Sequence, residues 1–260
     1  MVEIHLPLYA PAKPNAPPPP SHRTLKTTMP EHAPILPVIA AEVAALAPGF
    51  RALSLTVEAA PIVRPEIADR AVERACQALA RGEPDWAEAH LAAWAEAFRR
   101  FGAKPQRTPC SAEALRKRAL RDGGLPSIDP VVDLYNAISV QFAIPVGGEN
   151  LAAYAGTPRL VVADGSETFD TLKNGEAVDE SPDPGEVVWR DDLGVTCRRW
   201  NWRQGRRTAL SDRTRSALFI LDGLDPVSND QLHAAADALV EALTALGAEV
   251  STERLLLGAS

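Results

Sequence analysis

The chain has 260 residues, 46% of them hydrophobic and 23% charged, a composition that is typical of a globular protein and argues against a disordered or fibrous chain. The formal net charge of −7 argues against a protein that coats nucleic acid or anionic lipid through bulk electrostatics, so any polyanion must be bound locally. The three cysteines have no CxxC spacing and encode neither a disulfide framework nor a zinc site, which predicts no metal or other cofactor and a reducing compartment.

The N-terminal segment is rich in proline. Ten of the 23 prolines lie between Pro7 and Pro37, and the segment shows neither helical nor strand periodicity. Residues 1–33 are therefore predicted to form a polyproline-like or disordered tail, with a protein ligand motif as the alternative. The first ten residues lack a secretion signal, and no apolar run approaches the ~18 residues of a membrane span. We expect a cytoplasmic protein without a membrane partner.

Globular patterning begins near residue 36. An alanine-rich helix is predicted around residues 38–47, followed by a half-buried strand in which Leu53, Leu55 and Val57 alternate. Two helices with apolar faces follow, up to Gly82 and then around Trp94. His90 lies one turn from Trp94 and is interpreted as a packed side chain.

The next two helices carry polar residues that attract attention. The first begins at Ser111 and presents a basic face, for which a solvated helix surface is the alternative: Arg116, Lys117, Arg118 and Arg121. The second begins with Asp129 as N-cap and Pro130 at its first position, and carries Asp133 and Asn136 one turn apart. Pro145 ends it, and Gly147-Gly148 is predicted to form a turn that permits close approach of a ligand.

The C-terminal half is predicted to be rich in β-structure. Short strands around residues 160–163, 187–189, 195–199 and 217–221 are separated by turn residues, and a final helix starts with the capping box Ser228 to Gln231. Strands and helices mix without regular βα alternation. The sequence therefore predicts a single α+β domain over residues 34–260, with a mixed sheet and flanking helices.

No P-loop, GxGxxG, HExxH or GxSxG motif is present. The unusual local feature is the segment 198–215, which holds seven arginines and one aspartate together with Trp200 and Trp202. Guanidinium groups contact phosphates and indoles stack on bases, so the segment suits the end of a nucleic acid strand. The alternative is a strand whose two tryptophans pack on the core.

The order of these motifs resembles the B3/B4 domain of the phenylalanyl-tRNA synthetase beta subunit, and more closely the free-standing B3/B4 proteins. The resemblance covers roughly residues 50–247. The residues that carry it are Pro126, Ser127, Asp129, Pro130, Val131, Val132, Asp133, Asn136, Pro145, Gly147, Gly148, Glu149, Leu151, Gly185, Glu186, Trp200 to Gln204 and Thr208.

In the synthetase this domain hydrolyses a wrong amino acid from its tRNA, so the resemblance implies an editing deacylase that acts in trans on the aminoacylated 3′ end of a tRNA. No aminoacylation core and no DNA partner are expected. The alternatives are a tRNA- or RNA-binding module without turnover, and a small-molecule-binding domain on the same fold. The substrate amino acid and the tRNA stay open.

Roles follow for particular residues. The expected catalytic group orients water, the ribose or the ester: Asn136, Gly147, Gly148, Asn201 and Thr208. The expected substrate contacts are Glu149, Asp133, Trp200, Trp202 and Arg203, with Glu149 as acceptor for a phenol or ammonium. The expected RNA-facing side comprises Arg116, Lys117, Arg118, Arg121, Arg198, Arg199, Arg206 and Arg207.

Overall fold

The computed structural model describes residues 36–59, 61–173, 175–211, 213–247 and 250–258, and the predicted tail, residues 1–33, lies outside these ranges. The described residues contain six α-helices: α1 (Ala41–Leu46), α2 (Glu66–Ala80), α3 (Ala87–Arg100), α4 (Ser111–Asp122), α5 (Pro130–Phe142) and α6 (Asn229–Leu246). They also contain eleven strands: β1 (Val38–Ile39), β2 (Arg51–Ala59), β3 (Val146–Asn150), β4 (Arg159–Val162), β5 (Phe169–Lys173), β6 (Glu176–Glu180), β7 (Val187–Arg190), β8 (Val195–Arg198), β9 (Arg203–Gln204), β10 (Ser216–Gly223) and β11 (Val250–Gly258). No helix of this part of the chain is long and apolar enough to cross a membrane.

The α+β prediction with a mixed sheet is confirmed. The five-stranded sheet has the order β1-β4-β7-β8-β9, in which β1 runs parallel to β4 and the other neighbours are antiparallel. A four-stranded antiparallel sheet has the order β11-β2-β10-β3, and β5 pairs with β6 in a hairpin. The strands therefore divide between two larger sheets, which the pattern of single strands does not reveal.

One face of the four-stranded sheet packs against α2, α5 and α6. Leu53, Leu55 and Val57 of β2 are buried in this layer, as their alternation predicted. The layer holds α5 firmly, because α5 contacts both α2 and α6. The start of α5 is thereby fixed at the edge of the sheet.

The predicted helix starts are also confirmed. Asp129 caps α5, since its carboxylate accepts hydrogen bonds from the N–H groups of Val131 at 2.9 Å and Val132 at 3.4 Å. The capping box between Ser228 and Gln231 opens α6. In both helices the side-chain oxygen satisfies N–H groups that have no partner within the helix.

A second core lies between the other face of this sheet and the five-stranded sheet. Trp200 is fully buried there, with its ring centroid 5.3 Å from that of Trp94 and 4.8 Å from that of Phe50. Arg199 and Trp200 have left-handed backbone angles, with φ of 46° and 65°. This tight turn between β8 and β9 directs the indole into the core.

His90 is a packed side chain, as interpreted from the sequence. Its ring is fully buried, Nδ1 lies 2.8 Å from the carbonyl oxygen of Ala143, and Nε2 accepts hydrogen bonds from Trp94 Nε1 and the N–H of Leu224, both at 3.1 Å. Burial lowers the pKa of His90 to about 4. The neutral imidazole therefore connects α3 to β10.

Two local predictions are corrected. Gly147-Gly148 does not form a turn: both residues lie in β3, opposite Ile220 and Phe219 of β10. The strand β11, beyond the predicted final helix, was not foreseen; it pairs with the whole length of β2. Strand pairing supplies the hydrogen bonds in both cases, and it depends on partners distant in sequence.

Candidate functional site

A cavity of about 640 Å³ opens beside β3 and β10, between α4, the first half of α5 and the segment 200–211. It brings together ten of the residues predicted from the sequence: Arg118, Asp133, Asn136, Gly147, Glu149, Trp200, Asn201, Trp202, Arg203 and Arg206. Eight others do not line it: Arg116, Lys117, Gly148, Arg121, Arg198, Arg199, Arg207 and Thr208. The first half of α5, β3 and the segment 200–211 thus converge on this cavity.

Glu149 lies at one end of the cavity and is paired with hydroxyl groups. Oε1 accepts a hydrogen bond from Thr208 Oγ1 at 2.6 Å, while Oε2 accepts one from the Tyr154 hydroxyl and a longer one, 3.4 Å, from Thr196 Oγ1. Burial raises the pKa of Glu149, and the three hydroxyls oppose that shift. Both oxygens of Glu149, the expected acceptor for a phenol or ammonium, thus already have protein donors.

Thr208 has a different place from the one expected. Its side chain is directed at Glu149, and its carbonyl oxygen accepts a hydrogen bond from the N–H of Asn150 at 2.7 Å. Thr208 therefore attaches the 200–211 segment to β3 and is not among the cavity-lining residues.

The two glycines of β3 are explained by close packing. A Cβ at Gly148 would lie 2.6 Å from a ring carbon of Phe219, on the face of the strand that is turned away from the cavity. A Cβ at Gly147 would lie 3.2 Å from Gln204 Nε2, which donates a hydrogen bond to the carbonyl oxygen of Gly148 at 3.1 Å. The expected contact between Gly148 and a ligand is corrected, since only Gly147 faces the cavity.

Asp222, which sequence reasoning missed, lies on β10 and lines the same cavity. Its side chain is 2% exposed, and Oδ2 accepts a hydrogen bond from Asn201 Nδ2 at 3.0 Å. Burial raises its pKa to about 7. The available signal was an aspartate at the end of the apolar run Ala217–Leu221, where a strand residue should be buried.

Asn201 joins three elements at this end of the cavity. Besides donating to Asp222, it accepts a hydrogen bond at Oδ1 from the N–H of Ser111, the first residue of α4, at 3.4 Å. The N-cap of α4 is Cys110, which makes no side-chain capping bond. Asn201 thus takes the place of a cap from a distant part of the chain.

Several buried polar atoms of the cavity have no hydrogen-bond partner. Among the described residues six such side-chain atoms occur, and five belong to cavity-lining residues: Ser111 Oγ, Arg118 Nε, Trp200 Nε1, Arg203 Nε and Asp222 Oδ1. Buried polar groups without partners are rare in folded proteins because each costs free energy. Their concentration beside the cavity makes this region the candidate site, although Arg118 Nε lies 3.6 Å from Asp122 in an ion pair.

The remaining predicted site residues differ in how far their side chains are already engaged by other residues. Asp133 is 3% exposed and is occupied by Ser127 Oγ at 2.9 Å and by the N–H of Ile128 at 3.0 Å, so it fixes the loop before α5. Trp202 is partly exposed and is covered by the guanidinium groups of Arg199 and Arg203, 4.7 and 5.1 Å from its ring centroid. Asn136, by contrast, lines the cavity, and no described residue forms a hydrogen bond with its side chain.

The arginines of the 198–207 segment are mostly paired with acids. Arg198 binds Glu186 at 2.8 Å and Glu180 at 3.2 Å, Arg203 binds Glu180 at 2.6 Å, and Arg207 binds both oxygens of Asp191 at 2.8 Å. Arg199 lies 3.6 Å from Glu186. The expectation of a continuous RNA-facing surface is corrected for Arg198, which is buried in its ion pairs.

The basic face of α4 is likewise modified. Arg116 is only 8% exposed and donates to the carbonyl oxygens of Val140 at 2.6 Å and Glu83 at 3.0 Å, so it is a structural residue and not a surface one. Lys117 pairs with Glu113, and Arg118 and Arg121 pair with Asp122. Of the predicted basic residues that line the cavity, only Arg206 is an exposed side chain without an ion pair in the described residues.

Comparisons with known proteins identify the family of this chain. No curated protein matches the chain. Among solved structures, an N-terminal fragment of the phenylalanyl-tRNA synthetase beta subunit from Pyrococcus horikoshii is similar at 10% identity with a TM-score of 0.43; the match covers 86% of this chain and 54% of that one, so the chain spans about half of the fragment. The family model of the B3/4 domain matches residues 93–247, more than half of the chain and the region that contains the cavity-lining residues from Ser111 to Asp222. The chain therefore belongs to the B3/4 domain family.

Proposed function

We propose that this protein binds the aminoacylated 3′ end of a tRNA in the cavity and hydrolyses mischarged aminoacyl-tRNA in trans. The observation that carries the proposal is the set of four buried polar atoms without a partner in the described residues, on Ser111, Trp200, Arg203 and Asp222, all four of which are residues that line one cavity within the B3/4 match. A protein retains such groups where a ligand satisfies them. The proposal extends to a cytoplasmic location, where charged tRNA is found, and to residues 34–260 as the domain that acts.

The cavity has the size and lining that this ligand requires. Its volume of about 640 Å³ lies within the ~300–1,000 Å³ typical of small-molecule sites and suits an aminoacyl group with its terminal ribose. The partly exposed indole of Trp202 is in a position to contact an apolar or aromatic part of the ligand. Polar groups then fix the orientation of the ester.

Hydrolysis of an aminoacyl ester needs a positioned water more than a strong nucleophile, because the ester is already activated. Asn136 is the amide best suited to hold that water or a ribose hydroxyl, since its side chain has no hydrogen bond to the described protein. Asn201 is engaged with Ser111 and Asp222 and therefore positions its neighbours. Gly147 is the glycine whose Cα faces the ligand.

Phosphates of the tRNA end would meet a small number of cations at the cavity mouth. Lys173 and Arg206 are exposed there, whereas Arg118 pairs with Asp122 and Arg203 pairs with Glu180. Because most other arginines of the segment are ion-paired, few phosphates are contacted. We therefore expect the affinity for tRNA to fall with salt, but with a shallow slope.

The test is a deacylation screen of the purified full chain against correctly and wrongly charged tRNAs. We expect turnover of at least one mischarged species, and a loss of at least about tenfold in rate for Asn136→Ala because water is no longer held. Asn229→Ala, at an exposed position on α6, is the matched control. Rates equal to spontaneous hydrolysis for every charged tRNA would refute the enzymatic function.

A second candidate, binding without turnover of tRNA or of a small molecule, is favoured by one observation. The acids at positions 180, 186 and 191 neutralise three of the arginines expected to contact RNA, and also Arg203, on a chain with net charge −7. Binding of uncharged and charged tRNA at two salt concentrations distinguishes the candidates. Salt-dependent binding without hydrolysis supports the tRNA-binding module, and no binding of any tRNA supports the small-molecule site.

A further inference from the structure

The end of the cavity around Asp222 offers an acceptor and donors side by side. Among the described residues, Asp222 Oδ1 has no hydrogen-bond partner and no cation interacts with its carboxyl group. The thiols of Cys110 and Cys197 are the other titratable groups that interact with it, and burial raises the pKa of both. A buried carboxylate without a counter-charge is costly, and a ligand cation would remove that cost.

The hydrogen-bonding groups near this carboxylate lie around the side-chain amide of Asn201. The amide nitrogen of Asn201 donates a hydrogen bond to Asp222, and its amide oxygen accepts one from the N–H of Ser111, the first residue of α4. A single amide group therefore separates α4 from the carboxylate. Ser111 Oγ, on the first residue of α4, has no hydrogen-bond partner among the described residues, whereas the indole of Trp200 is packed in the second core. The positive end of the α4 dipole lies at Ser111 and favours an oxygen atom of the ligand there.

We infer that this end of the cavity, formed by Ser111, Trp200, Asn201 and Asp222, binds the α-aminoacyl group of the ligand through its free α-ammonium and its carbonyl oxygen. The ammonium donates to Asp222 Oδ1, and the carbonyl oxygen accepts from Ser111 Oγ. An α-amino acid carries its ammonium and its carbonyl group on adjacent carbons. This arrangement matches an acceptor, Asp222, and a donor, Ser111, that both adjoin the side-chain amide of Asn201. The inference rests on the proposed function in taking the ligand to be aminoacylated.

The consequence is a selection by class. Substrates with a free α-amine are accepted whatever their side chain, whereas formylated, acetylated or peptidyl esters leave Asp222 buried without a partner and are rejected. A site built around a buried charged acceptor discriminates strongly against ligands that lack the donor. Selection among amino acids would then depend on other parts of the cavity.

Binding of four non-hydrolysable probes tests this: adenosine with a 3′-amide-linked alanine, Nα-acetylalanine, lysine or Nα-acetyllysine. In calorimetric titrations we expect both Nα-acetylated probes to bind at least about tenfold more weakly than their free counterparts. In Asp222→Asn, which conserves shape and can still accept from Asn201, the two free probes should lose a similar factor and the acetylated ones little. Asp230→Asn removes an exposed carboxylate from α6 and should change nothing.

Three results would overturn the inference. They are equal binding of free and Nα-acetylated probes, binding of Nα-acetyllysine as tight as that of lysine, which would assign Asp222 to a side-chain ammonium, and no binding of any probe. The readout separates the two proposals, because binding needs no turnover. Discrimination by the α-amine without deacylation would contradict only the enzymatic function, and deacylation that ignores Nα-acetylation would contradict only this inference.

Discussion

Glu149 and Asp222 are two buried carboxylates that line the same cavity and are satisfied in opposite ways. Glu149 accepts from three hydroxyls, those of Thr208, Tyr154 and Thr196, whereas Asp222 accepts only from Asn201 and keeps one oxygen without a partner. Burial raises the pKa of each carboxyl group. The two ends therefore differ in hydrogen bonding: the carboxylate of Glu149 has a donor at both oxygens, and that of Asp222 has a donor at one.

The largest expected effect comes from breaking the Glu149 end. Glu149→Ala leaves three buried hydroxyls without their acceptor and should lower the free energy of unfolding by about 3 kcal/mol, because each such group costs roughly 1–3 kcal/mol. Urea denaturation provides the measurement. Glu149→Gln keeps one acceptor oxygen and should lose less; a loss below about 1 kcal/mol in the alanine variant would show that the hydroxyls find other partners.

The Asp222 end should respond in the opposite direction. Folding raises the pKa of Asp222 from 3.8 to about 7, so between these pH values the folded protein holds more protons than the unfolded one. The free energy of unfolding contributed by this group therefore falls as the pH rises through that window. Asp222→Asn removes this loss.

The difference in the free energy of unfolding between Asp222→Asn and the unchanged protein should shift in favour of the variant by about 2–4 kcal/mol as the pH rises from 4 to 8. Ligand binding should be weaker in the variant. Because other titrating groups are common to both proteins, the difference between the two denaturation curves isolates Asp222. A difference that is independent of pH, or a variant less stable at pH 8, would contradict an uncompensated charge.

Asn201 sharpens the comparison because it serves only the Asp222 end. Asn201→Ala removes the bonds to Ser111 and Asp222 and should lower the free energy of unfolding by about 1–2 kcal/mol, the cost of two moderate hydrogen bonds and a missing helix cap. The same variant should reduce binding of the alanyl probe by calorimetry. Unchanged binding would mean that the carboxylate needs no support.

The smallest effects should come from the single hydroxyls at the Glu149 end. Thr208 Oγ1 lies 2.6 Å from Glu149 and Thr196 Oγ1 lies 3.4 Å away. Replacement by valine should cost about 1 kcal/mol at position 208 and less at position 196, since the shorter bond is the stronger one. Thermal denaturation of the two valine variants measures both losses. A larger loss of stability at position 196 than at position 208 would exclude Thr208 as the principal donor.

The sequence by itself determined the elements whose signals are local. The alternation of Leu53, Leu55 and Val57 predicts β2, and Asp129 with Pro130 predicts the start of α5, because side-chain period and capping depend on neighbours along the chain. The α+β class and the family resemblance also came from the sequence, together with ten of the residues that line the cavity.

Tertiary structure decided how those residues are paired. The arginine-rich segment looked like an RNA-binding surface until the fold placed Glu180, Glu186 and Asp191 against it. The three hydroxyl donors of Glu149 were not predicted, and Asp222 passed unnoticed, because hydrogen-bond satisfaction of a buried carboxylate depends on groups brought together from distant parts of the chain. A sequence states which polar groups exist, whereas only the folded chain decides which of them lack a partner.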